Sequence, residues 1–391
     1  MKVAFVLNST LTTGGASKSF LSMLAGLMSI GVIPFVILPD RNGLYNIINK
    51  LDVKTFVLTY RESTYPPYDK TIVDILLFLP RLFGRIYVNW RATSKLKKIF
   101  KEEMPDIVHT NVSVVNIGFK AAKKLGIPHI YHIREYGDLD FNRHYFPLHG
   151  YFAQQLDMQK SYSICITEDI QKHYQQAGKS TSRVVYNGIM SRRDILPSNM
   201  GKYFLFMGRI EPAKGLDFLL QAYKKYFENT TNPLPLHIAG AAYDNNYMKY
   251  INRCIKEANI GNNILFLGEI KEIESAIHNA KAIIIPSCFE GFGRVMPEAM
   301  FHGCLAIGRN TGGTKEQMDN GKCLTGKEIA LSFTTVEQLA EQLLAVSKTP
   351  AKDLDPIRER AFQTVNTLYT TEALVENVYQ FYKDIINESN T

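Results

Sequence analysis

The sequence has few cysteines, and their arrangement excludes two classes of protein. Of the 391 residues five are cysteine, and no two of them are spaced as Cys-x-x-Cys. Disulfide-rich secreted domains need an even, closely spaced set, and zinc sites need paired thiolates. The pattern therefore indicates a reducing compartment, no zinc site, and thiols in or near the core. The cysteines are Cys165, Cys254, Cys288, Cys304 and Cys323.

Long hydrophobic runs are also missing. A membrane-spanning helix needs about 18 consecutive apolar residues, and the nearest candidate, residues 72–88, is interrupted by a proline and three charged residues. The apolar run at residues 3–7 is followed at once by polar residues and is too short for the core of a secretory signal. We therefore interpret residues 3–7 as a first β-strand and expect no membrane-spanning segment.

The overall composition excludes disordered and fibrous proteins. Hydrophobic residues make up 46% of the chain and charged residues 21%, as in an ordinary globular protein. The length suits about two to three domains, each with its own core. The net charge of +8 favours acidic partners, among which phosphate-bearing substrates, anionic lipid and nucleic acid all qualify.

A glycine pair follows the first predicted strand. The strand leads into Thr-Thr-Gly-Gly-Ala-Ser-Lys-Ser, which contains Gly14 and Gly15, and a helical pattern begins at Phe20. A strand, a glycine loop and a helix in this order present free backbone N–H groups to an anion. The spacing matches neither Gly-x-Gly-x-x-Gly nor a P-loop. A phosphate loop and a plain tight turn are equally compatible with it.

Two cations lie in the loop that opens the second half of the chain. A predicted strand ends at Gly208, and Arg209 and Lys214 follow it before the next helical pattern. A planar guanidinium and a compact ammonium together suit a diphosphate. Taken alone, however, the pair is better explained as two solvated loop cations.

A glycine-broken loop framed by two glutamates is the stretch around which the chain is organised. It follows a buried-strand run at residues 282–286 and contains Glu290, Gly291, Gly293 and, at the start of a helical pattern, Glu298. Open α/β sheets bind ligands at the carboxyl ends of their strands. The glycines allow a ligand close to the backbone, and the glutamates accept hydrogen bonds from hydroxyl groups. The loop therefore suits a polyhydroxy ligand that carries phosphate; the alternative is one surface glutamate beside a helix-capping one.

The two loops of the second half carry a resemblance to a known family. The glutamate spacing, written Glu-Gly-Phe-Gly with a later Glu-Ala-Met, resembles the signature of retaining glycosyltransferase family 4, the group 1 glycosyl transferases. The string from Gly208 to Gly215 is similar to the family's Gly-Arg-x-x-x-x-Lys-Gly element. The resemblance is strong over residues 203–316 and thin over residues 40–105. It implies an α/β, GT-B fold, in which two Rossmann-like parallel-sheet domains face a central cleft and the C-terminal helix crosses back to the first domain.

The resemblance also implies a reaction. It is a retaining, metal-independent hexosyl transfer from a nucleotide diphosphate sugar, such as a UDP-sugar, to an acceptor hydroxyl, with no cofactor. Arg209 and Lys214 are expected to meet the diphosphate beside the first glycine pair. Glu298 is expected to hold the ribose hydroxyls, and Glu290 the sugar hydroxyls near the reacting carbon. The other expected substrate-binding residues are Gly14, Gly15, His109, Gly208, Gly240, Ile270, Gly291, Phe292, Gly293 and Arg294.

The catalytic side chain of the first domain has two candidates. Family members place a histidine near the end of the fourth-strand segment. Counting from the preceding proline puts Arg134 at that position, while His132 lies two residues earlier and Glu135 directly follows. All three belong to the expected catalytic set, and the choice between His132 and Arg134 stays open at this point.

A possible metal motif follows these residues. Asp138-Leu-Asp140 matches the Asp-x-Asp motif of a different glycosyltransferase fold, GT-A. The doubly wound pattern around it does not fit GT-A, and short motifs recur freely. We therefore interpret the match as chance and expect no metal.

The expected domain boundary lies in a polar, proline-containing stretch at residues 192–200. The acceptor-side domain is expected at residues 1–192, joined by a C-terminal helix at about residues 370–391. The nucleotide-sugar domain is expected at residues 200–369. Two other functions were weighed, a GT-B-fold nucleotide-sugar 2-epimerase and a non-catalytic basic module that binds membrane or nucleic acid. The set of Arg209, Lys214, Glu290 and Glu298 looks like a transferase, and no nucleic-acid motif is present.

One stretch of the first domain lacks acidic residues. Residues 75–101 contain seven basic residues and no acidic one, among many apolar side chains. Such a segment either docks on an anionic membrane surface or forms one or two ordinary helices with a solvated basic face. Docking would make the protein a cytoplasmic enzyme, peripheral on the inner face of the plasma membrane. Its acceptor would then be a carbohydrate or a lipid-linked molecule in bacterial-type cell-surface polysaccharide or glycolipid assembly.

Overall fold

The structure, a computed structural model, describes residues 1–12, 14–66, 71–141, 143–199, 201–270 and 272–390. The chain divides into two compact units. The first comprises Met1–Gly188 and Thr371–Thr391, and the second comprises Ile189–Thr370. Each unit is built around one parallel sheet.

The first unit holds a seven-stranded sheet, in the described part of the chain, with strand order β3-β2-β1-β4-β5-β6-β7. Its strands are β1 (Lys2–Val6), β2 (Ile33–Leu38), β3 (Lys54–Val57), β4 (Ile107–Thr110), β5 (His129–Ile133), β6 (Ser161–Cys165) and β7 (Ser182–Val184). Its helices are α1 (Gly15–Ser29), α2 (Leu44–Lys50), α3 (Ile72–Glu103), α4 (Ile117–Leu125), α5 (Asp138–Phe141), α6 (His149–Leu156), α7 (Glu168–His173) and the C-terminal α15 (Thr371–Asn390).

The second unit holds a sheet of six described strands in the order β10-β9-β8-β11-β12-β13. These strands are β8 (Tyr203–Met207), β9 (Leu236–Ala239), β10 (Ile264–Gly268), β11 (Ala280–Ile285), β12 (Leu305–Arg309) and β13 (Leu331–Phe333). The helices are α8 (Leu216–Glu228), α9 (Asn245–Ala258), α10 (Ile273–Asn279), α11 (Val295–Phe301), α12 (Gly312–Thr325), α13 (Val336–Lys348) and α14 (Asp355–Leu368). Short 3-10 turns lie at Pro212–Lys214, Gly261–Asn263 and Ala351–Leu354.

The central strands are buried along their length. All residues of β4, β5 and β11 are buried, as expected when helices cover both faces of a parallel sheet. The C-terminal helix α15 belongs to the core of the first unit, where it packs on α1. Gly26 makes this close packing possible, because a Cβ atom there would lie 2.3 Å from Val375 Cγ2.

Several elements differ from those expected. Helix α3 is continuous across Pro80, so the basic stretch is one helix. The two units separate between Gly188 and Ile189, ahead of the expected linker. In the described chain, none of the helices combines the length and apolar content needed to cross a membrane.

The prediction that all five thiols lie in or near the core is wrong for Cys323, which is exposed. It lies in the last turns of α12, where the helix reaches the surface. Cys165 and Cys304 are buried, and burial raises the pKa of each thiol to about 12. Both therefore behave as inert core residues.

Candidate functional site

The strand order places two loops of the second unit next to each other. Strands β8 and β11 are neighbours in the sheet, although β8 is followed in sequence by β9 on its other side. This reversal is a topological switch point, where open α/β sheets leave a crevice outside the carboxyl ends of the strands. The loop after β8 carries Arg209 and Lys214, and the loop after β11 carries Glu290.

An ion pair joins these two loops. Lys214 Nζ lies 2.7 Å from Glu290 Oε1, and the side chains are 20% and 16% exposed. Both groups are thus half-buried but still reachable from solvent. The pairing brings together the predicted diphosphate cation and the predicted sugar-binding carboxylate, which are 76 residues apart in sequence.

Backbone contacts fix the spacing of the two loops. The Cys288 N–H donates to Ala213 O at 3.0 Å. Gly215 lies so close to the other loop that a Cβ atom would be 2.3 Å from Pro286 O. Gly215 also has φ +67, a conformation that glycine adopts at little cost. The glycine that closes the Gly-Arg-x-x-x-x-Lys-Gly string is therefore required by the packing of the site.

The first turns of α12, which follows β12, hold the Glu290 loop in place. The Gly313 N–H donates to Glu290 O at 2.8 Å, and the Gln317 amide nitrogen donates to Phe292 O and to Gly293 O. A Cβ atom on Gly313 would lie 2.7 Å from Phe292 O. Nothing in the local sequence pattern distinguishes Gln317, so its contact with this loop was not predicted.

The second glutamate of the motif forms its own ion pair. Arg294 Nη2 lies 3.2 Å from Glu298 Oε1, with both side chains largely buried. Glu298 lies in the first turn of α11. Phe292 is buried and meets the ring of Tyr369 edge-on, with centroids 5.5 Å apart. The aromatic residue of Glu-Gly-Phe-Gly therefore anchors the loop in the second unit.

The remaining residues predicted in the second unit lie at the ends of β8, β9 and β10. Arg209 is half-exposed, and its guanidinium lies 3.0 Å from the Glu211 carboxylate. Gly240 packs directly on Gly208, because a Cβ atom there would lie 1.8 Å from Gly208 O. Ile270 contributes to a cavity of about 550 Å³ that is also lined by the stacked rings of Tyr203 and His237.

The first unit repeats the switch-point arrangement. Strands β1 and β4 are neighbours, while β1 is followed in sequence by β2 on its other side. The loop after β1 ends at Gly14, which precedes α1, and Gly15 is the first residue of that helix. Gly14 O accepts from the Ser17 and Lys18 N–H groups, each at 3.1 Å. The predicted glycine pair therefore lies at the start of a long helix beside the crevice of the first sheet.

Behind the carboxyl edge of this sheet lies a buried chain of hydrogen bonds. The Tyr382 hydroxyl, on α15, lies 2.6 Å from His109 Nδ1, and His109 Nε2 lies 3.1 Å from His132 Nδ1. Arg134 Nη2 lies 3.2 Å from the same His132 nitrogen. Both histidines are 0% exposed, and Arg134 is 7% exposed.

The chemistry of the donors assigns the tautomers along this chain. Arginine has donors only, so His132 Nδ1 accepts and the ring proton lies on Nε2. His109 must then donate from Nε2, and its Nδ1 accepts from the Tyr382 hydroxyl. Burial, reinforced by the Arg134 charge, holds the pKa of both histidines well below the ordinary value. Both rings are therefore neutral, and among the described residues the His132 Nε2 proton has no acceptor.

This enclosure argues against direct contact of His109 or His132 with a substrate. Arg134, by contrast, is held at the end of the chain by Asn111 Oδ1 at 3.1 Å and Asn187 Oδ1 at 2.5 Å. His132 thus contacts both His109 and the Arg134 guanidinium. The role of Tyr382 was missed in the sequence, because it comes from a helix 273 residues away.

Glu135 fixes the loop that follows β4. Its Oε1 accepts from the Ser113 N–H at 3.0 Å and from the Ser113 hydroxyl at 2.6 Å. Asp138, in the Asp-x-Asp string, has its Oδ1 3.0 Å from His173 Nε2. Across the residues that the structure describes, no group of three or more His, Cys, Asp or Glu side chains is arranged to hold a metal ion.

Two family models match the chain. The model of the glycosyl transferases group 1 matches residues 190–364, and the model of glycosyltransferase family 4 matches residues 13–193. Among curated relatives, the uncharacterized glycosyltransferase MJ1178 of Methanocaldococcus jannaschii is 25% identical over 364 residues, covering 90% of this chain and 93% of its own.

Solved structures share the fold. Anabaena Alr3699/HepE in complex with UDP-glucose has a TM-score of 0.72 at 18% identity, covering 98% of this chain and 100% of its own. The lipopolysaccharide outer core galactosyltransferase WaaB in its apo form has a TM-score of 0.68 at 19% identity, covering 100% of both chains. At these identities the likeness concerns the fold, and it supports the GT-B class of two Rossmann-like domains.

Proposed function

Because the chain belongs to glycosyltransferase family 4, the glycosyl transferases of group 1, we propose that it moves a hexosyl group from a nucleotide diphosphate sugar to an acceptor hydroxyl with retention of configuration. The observation that carries the proposal is the Lys214–Glu290 pair, 2.7 Å apart at the switch point of the second sheet. It joins a cation suited to phosphate and a carboxylate suited to sugar hydroxyls. A UDP-sugar is the first donor to consider, because HepE binds UDP-glucose.

Arg209 and Lys214 are proposed to bind the diphosphate of the leaving group. As the glycosidic bond breaks, negative charge grows on the departing diphosphate, and fixed cations stabilise that state more than the ground state. Arg209 is half-exposed and Lys214 half-buried, so both remain accessible to a diphosphate. Together they supply the positive charge that a metal supplies in other transferases. We therefore propose that transfer needs no metal and no cofactor.

The two glutamates have different roles in this proposal. Glu290 lies against Lys214, so it is placed to hold sugar hydroxyls next to the diphosphate. Glu298 lies eight residues further on, in the first turn of α11, and is ion-paired with Arg294, and we assign it to the ribose hydroxyls. Gly291 and Gly293 carry no side chain, so a ligand can approach the backbone closely at these two positions.

In the first unit we assign the catalytic position to Arg134 rather than to His132. Arg134 is 7% exposed, whereas His109 and His132, two other members of the chain, are 0% exposed. Asn111 and Asn187 hold its guanidinium from two sides, which fixes its direction. His132 and His109 then act through Arg134 as positioning residues.

The acceptor and the setting follow from the same family. WaaB, whose fold this chain shares, is named a lipopolysaccharide outer core galactosyltransferase. We propose a carbohydrate or lipid-linked acceptor in bacterial-type cell-surface polysaccharide or glycolipid assembly. The protein would work in the cytoplasm, peripheral on the inner face of the plasma membrane, without nucleic acid as a partner.

A panel of nucleotide sugars tests the proposal. The true donor should raise the melting temperature of the protein, because a ligand that binds only the folded state stabilises it. The same donor should be hydrolysed slowly without acceptor, and nuclear magnetic resonance of the released sugar should show the donor's anomeric configuration. EDTA should leave the rate unchanged. Failure of every nucleotide sugar to stabilise the protein or to be hydrolysed would overturn the proposal, and an inverted product would overturn retention.

A further inference from the structure

The first half of α3 has an exposed apolar face. Between residues 72 and 81 no side chain of this helix is buried, and the first buried one is Leu82. Buried residues then recur on one side, where the helix packs against α4. On the other side large apolar side chains are exposed to solvent. A contiguous exposed apolar patch is uncommon in a monomeric soluble protein.

The exposed apolar side chains form a single stripe along the helix. Their spacing of three or four residues puts them on one face, one above the other. Each of them is between 55% and 77% exposed. We call this set the α3 stripe: Ile72, Leu76, Leu79, Phe83, Tyr87 and Trp90.

Basic residues continue and flank the stripe. After Trp90 the same spacing leads to Ser94, Lys97 and Lys101, so the face changes from apolar to basic. A parallel row, spaced four and three residues apart, consists of Arg91, Lys95 and Lys98. The stripe ends in Tyr87 and Trp90, and Tyr and Trp are the residues that settle at the boundary between lipid tails and headgroups.

Further arginines lie near the exposed half of the helix. Arg85 donates to Thr64 O at 3.1 Å, and Arg143 forms an ion pair with Glu62. Burial lowers the pKa of Arg85; the charge of Glu62 opposes this, while Arg61 and Arg143 lower it further. Arg85 therefore feels two further guanidinium groups and one carboxylate, which leaves an excess of positive charge.

An apolar loop lies beside the stripe. Tyr65 stacks on Phe78 of α3 with ring centroids 6.0 Å apart, and its hydroxyl donates to Pro147 O at 3.0 Å. The residue after Pro147, Leu148, is 70% exposed. The apolar surface thus extends from the helix to the loop between α5 and α6.

We propose that the α3 stripe inserts into an anionic lipid surface, with Arg91, Lys95 and Lys98 on the headgroups, and that the protein takes its acceptor from that surface. The second half of this statement rests on the proposed function. The positive charge of α3 favours an anionic lipid surface over a second copy of this chain as the partner of the stripe. Residues 75–101 carry seven basic and no acidic residues, so two copies of α3 would repel each other, whereas anionic headgroups attract every one of them.

Trp90 is the only tryptophan of the chain, which makes its fluorescence a reporter of the stripe. Purified protein would be mixed with vesicles of phosphatidylcholine alone or of phosphatidylcholine with phosphatidylglycerol, without any nucleotide sugar. With the anionic vesicles we expect a blue shift of the emission and quenching by lipids brominated in their tails. Neutral vesicles should give much weaker binding, and added salt should release the protein from the anionic ones.

Two variants separate the apolar and the basic contributions. Leu79→Ser with Phe83→Ser should lower vesicle affinity roughly tenfold per side chain. Its matched control is Ile195→Ser with Leu265→Ser, which alters exposed apolar residues elsewhere. Circular dichroism would verify that each variant is folded.

The second variant neutralises Arg91, Lys95, Lys97 and Lys98 to glutamine. The affinity for anionic vesicles should decrease about fivefold for each removed cation. Its matched control neutralises four exposed lysines of the second unit and should bind like the wild type. The control lysines are Lys249, Lys256, Lys348 and Lys352.

The outcomes are separable from those of the proposed function, because donor hydrolysis is measured without vesicles and vesicle binding without donor. Equal binding to neutral and anionic vesicles, or an unchanged Trp90 spectrum with bound vesicles, would overturn the docking surface. A blue shift of the Trp90 emission that occurs without lipid and increases with protein concentration, together with a dimer in analytical sedimentation, would also overturn the docking surface. That result would assign the stripe to a second copy of the chain.

Discussion

The Lys214–Glu290 pair gives the sharpest test of the candidate site. Replacing Lys214 by methionine keeps the length of the side chain but removes the charge that faces a departing diphosphate. Loss of one preorganised donor to a developing negative charge costs about 2 to 4 kcal/mol in transition-state stabilisation. We therefore expect kcat/KM for donor hydrolysis or transfer to fall roughly 30- to 800-fold.

The geometry of the pair predicts that the two residues act together. Their charged groups are 2.7 Å apart and both are less than a quarter exposed, so removing one leaves the other half-buried without its partner. Glu290→Gln should therefore lower kcat as well, and the double variant Lys214→Met with Glu290→Gln should lose less than the sum of the single losses. For contacting charges the coupling is about 0.5 to 3 kcal/mol.

A matched pair controls for charge removal as such. Lys224 and Glu228 lie 3.4 Å apart on α8, at 46% and 56% exposure, and exposed pairs contribute little. The effects of Lys224→Met and Glu228→Gln should add, and the double variant should keep the wild-type activity. The reasoning is refuted if folded Lys214→Met retains the wild-type kcat/KM, or if the effects at Lys214 and Glu290 simply add.

Four further predictions follow from the site. Arg209→Ala should also lower kcat/KM, by about 2 to 4 kcal/mol, with little change in melting temperature because the side chain is half-exposed; full activity would contradict this. Glu298→Ala should mainly raise the donor KM, whereas an unchanged KM would contradict the ribose assignment. Arg134→Gln should lower kcat more than it raises KM, and an unaltered kcat would return the catalytic position to His132. Burial depresses the pKa of His129 to about 3, so its folded form stays neutral while the unfolded chain binds a proton below about pH 6.5. The free energy of unfolding should therefore be constant above that pH and decrease below it by about 1.4 kcal/mol per pH unit for each such buried histidine. Denaturant titration of His129→Gln at several pH values should show a smaller dependence of this free energy on pH.

The glycine loops and strand ends were predictable because their signals are local. A buried run followed by glycines, as at residues 282–293, specifies a strand and a tight loop whatever the rest of the chain does. The parallel pairing places such loops at one edge of a sheet, whereas the common role of Arg209, Lys214 and Glu290 was expected from the resemblance of the motif strings to the family. The motif strings added the identity of the family.

The pairings within the site could not be predicted in the same way. Lys214 and Glu290 are 76 residues apart, and His109 and Tyr382 are 273 apart. Such contacts depend on how the helices pack, and nothing in the local sequence around Tyr382 marks its hydroxyl as the partner of a buried histidine. The proposal of Arg134 rather than His132 rests on burial, which a single sequence does not report for two polar residues two positions apart.

For α3 the sequence predicted the amphipathic pattern but not which face of the helix is exposed. Its sequence already contains an apolar pattern at helical spacing, but two faces satisfy that pattern. Leu82, Leu96 and Phe100 lie on one face, and Phe83 and Trp90 lie on another. Only the position of α4 determines that the first face is covered and that the second is exposed. An amphipathic stretch can therefore be recognised from sequence, whereas the side available to a membrane is set by tertiary packing.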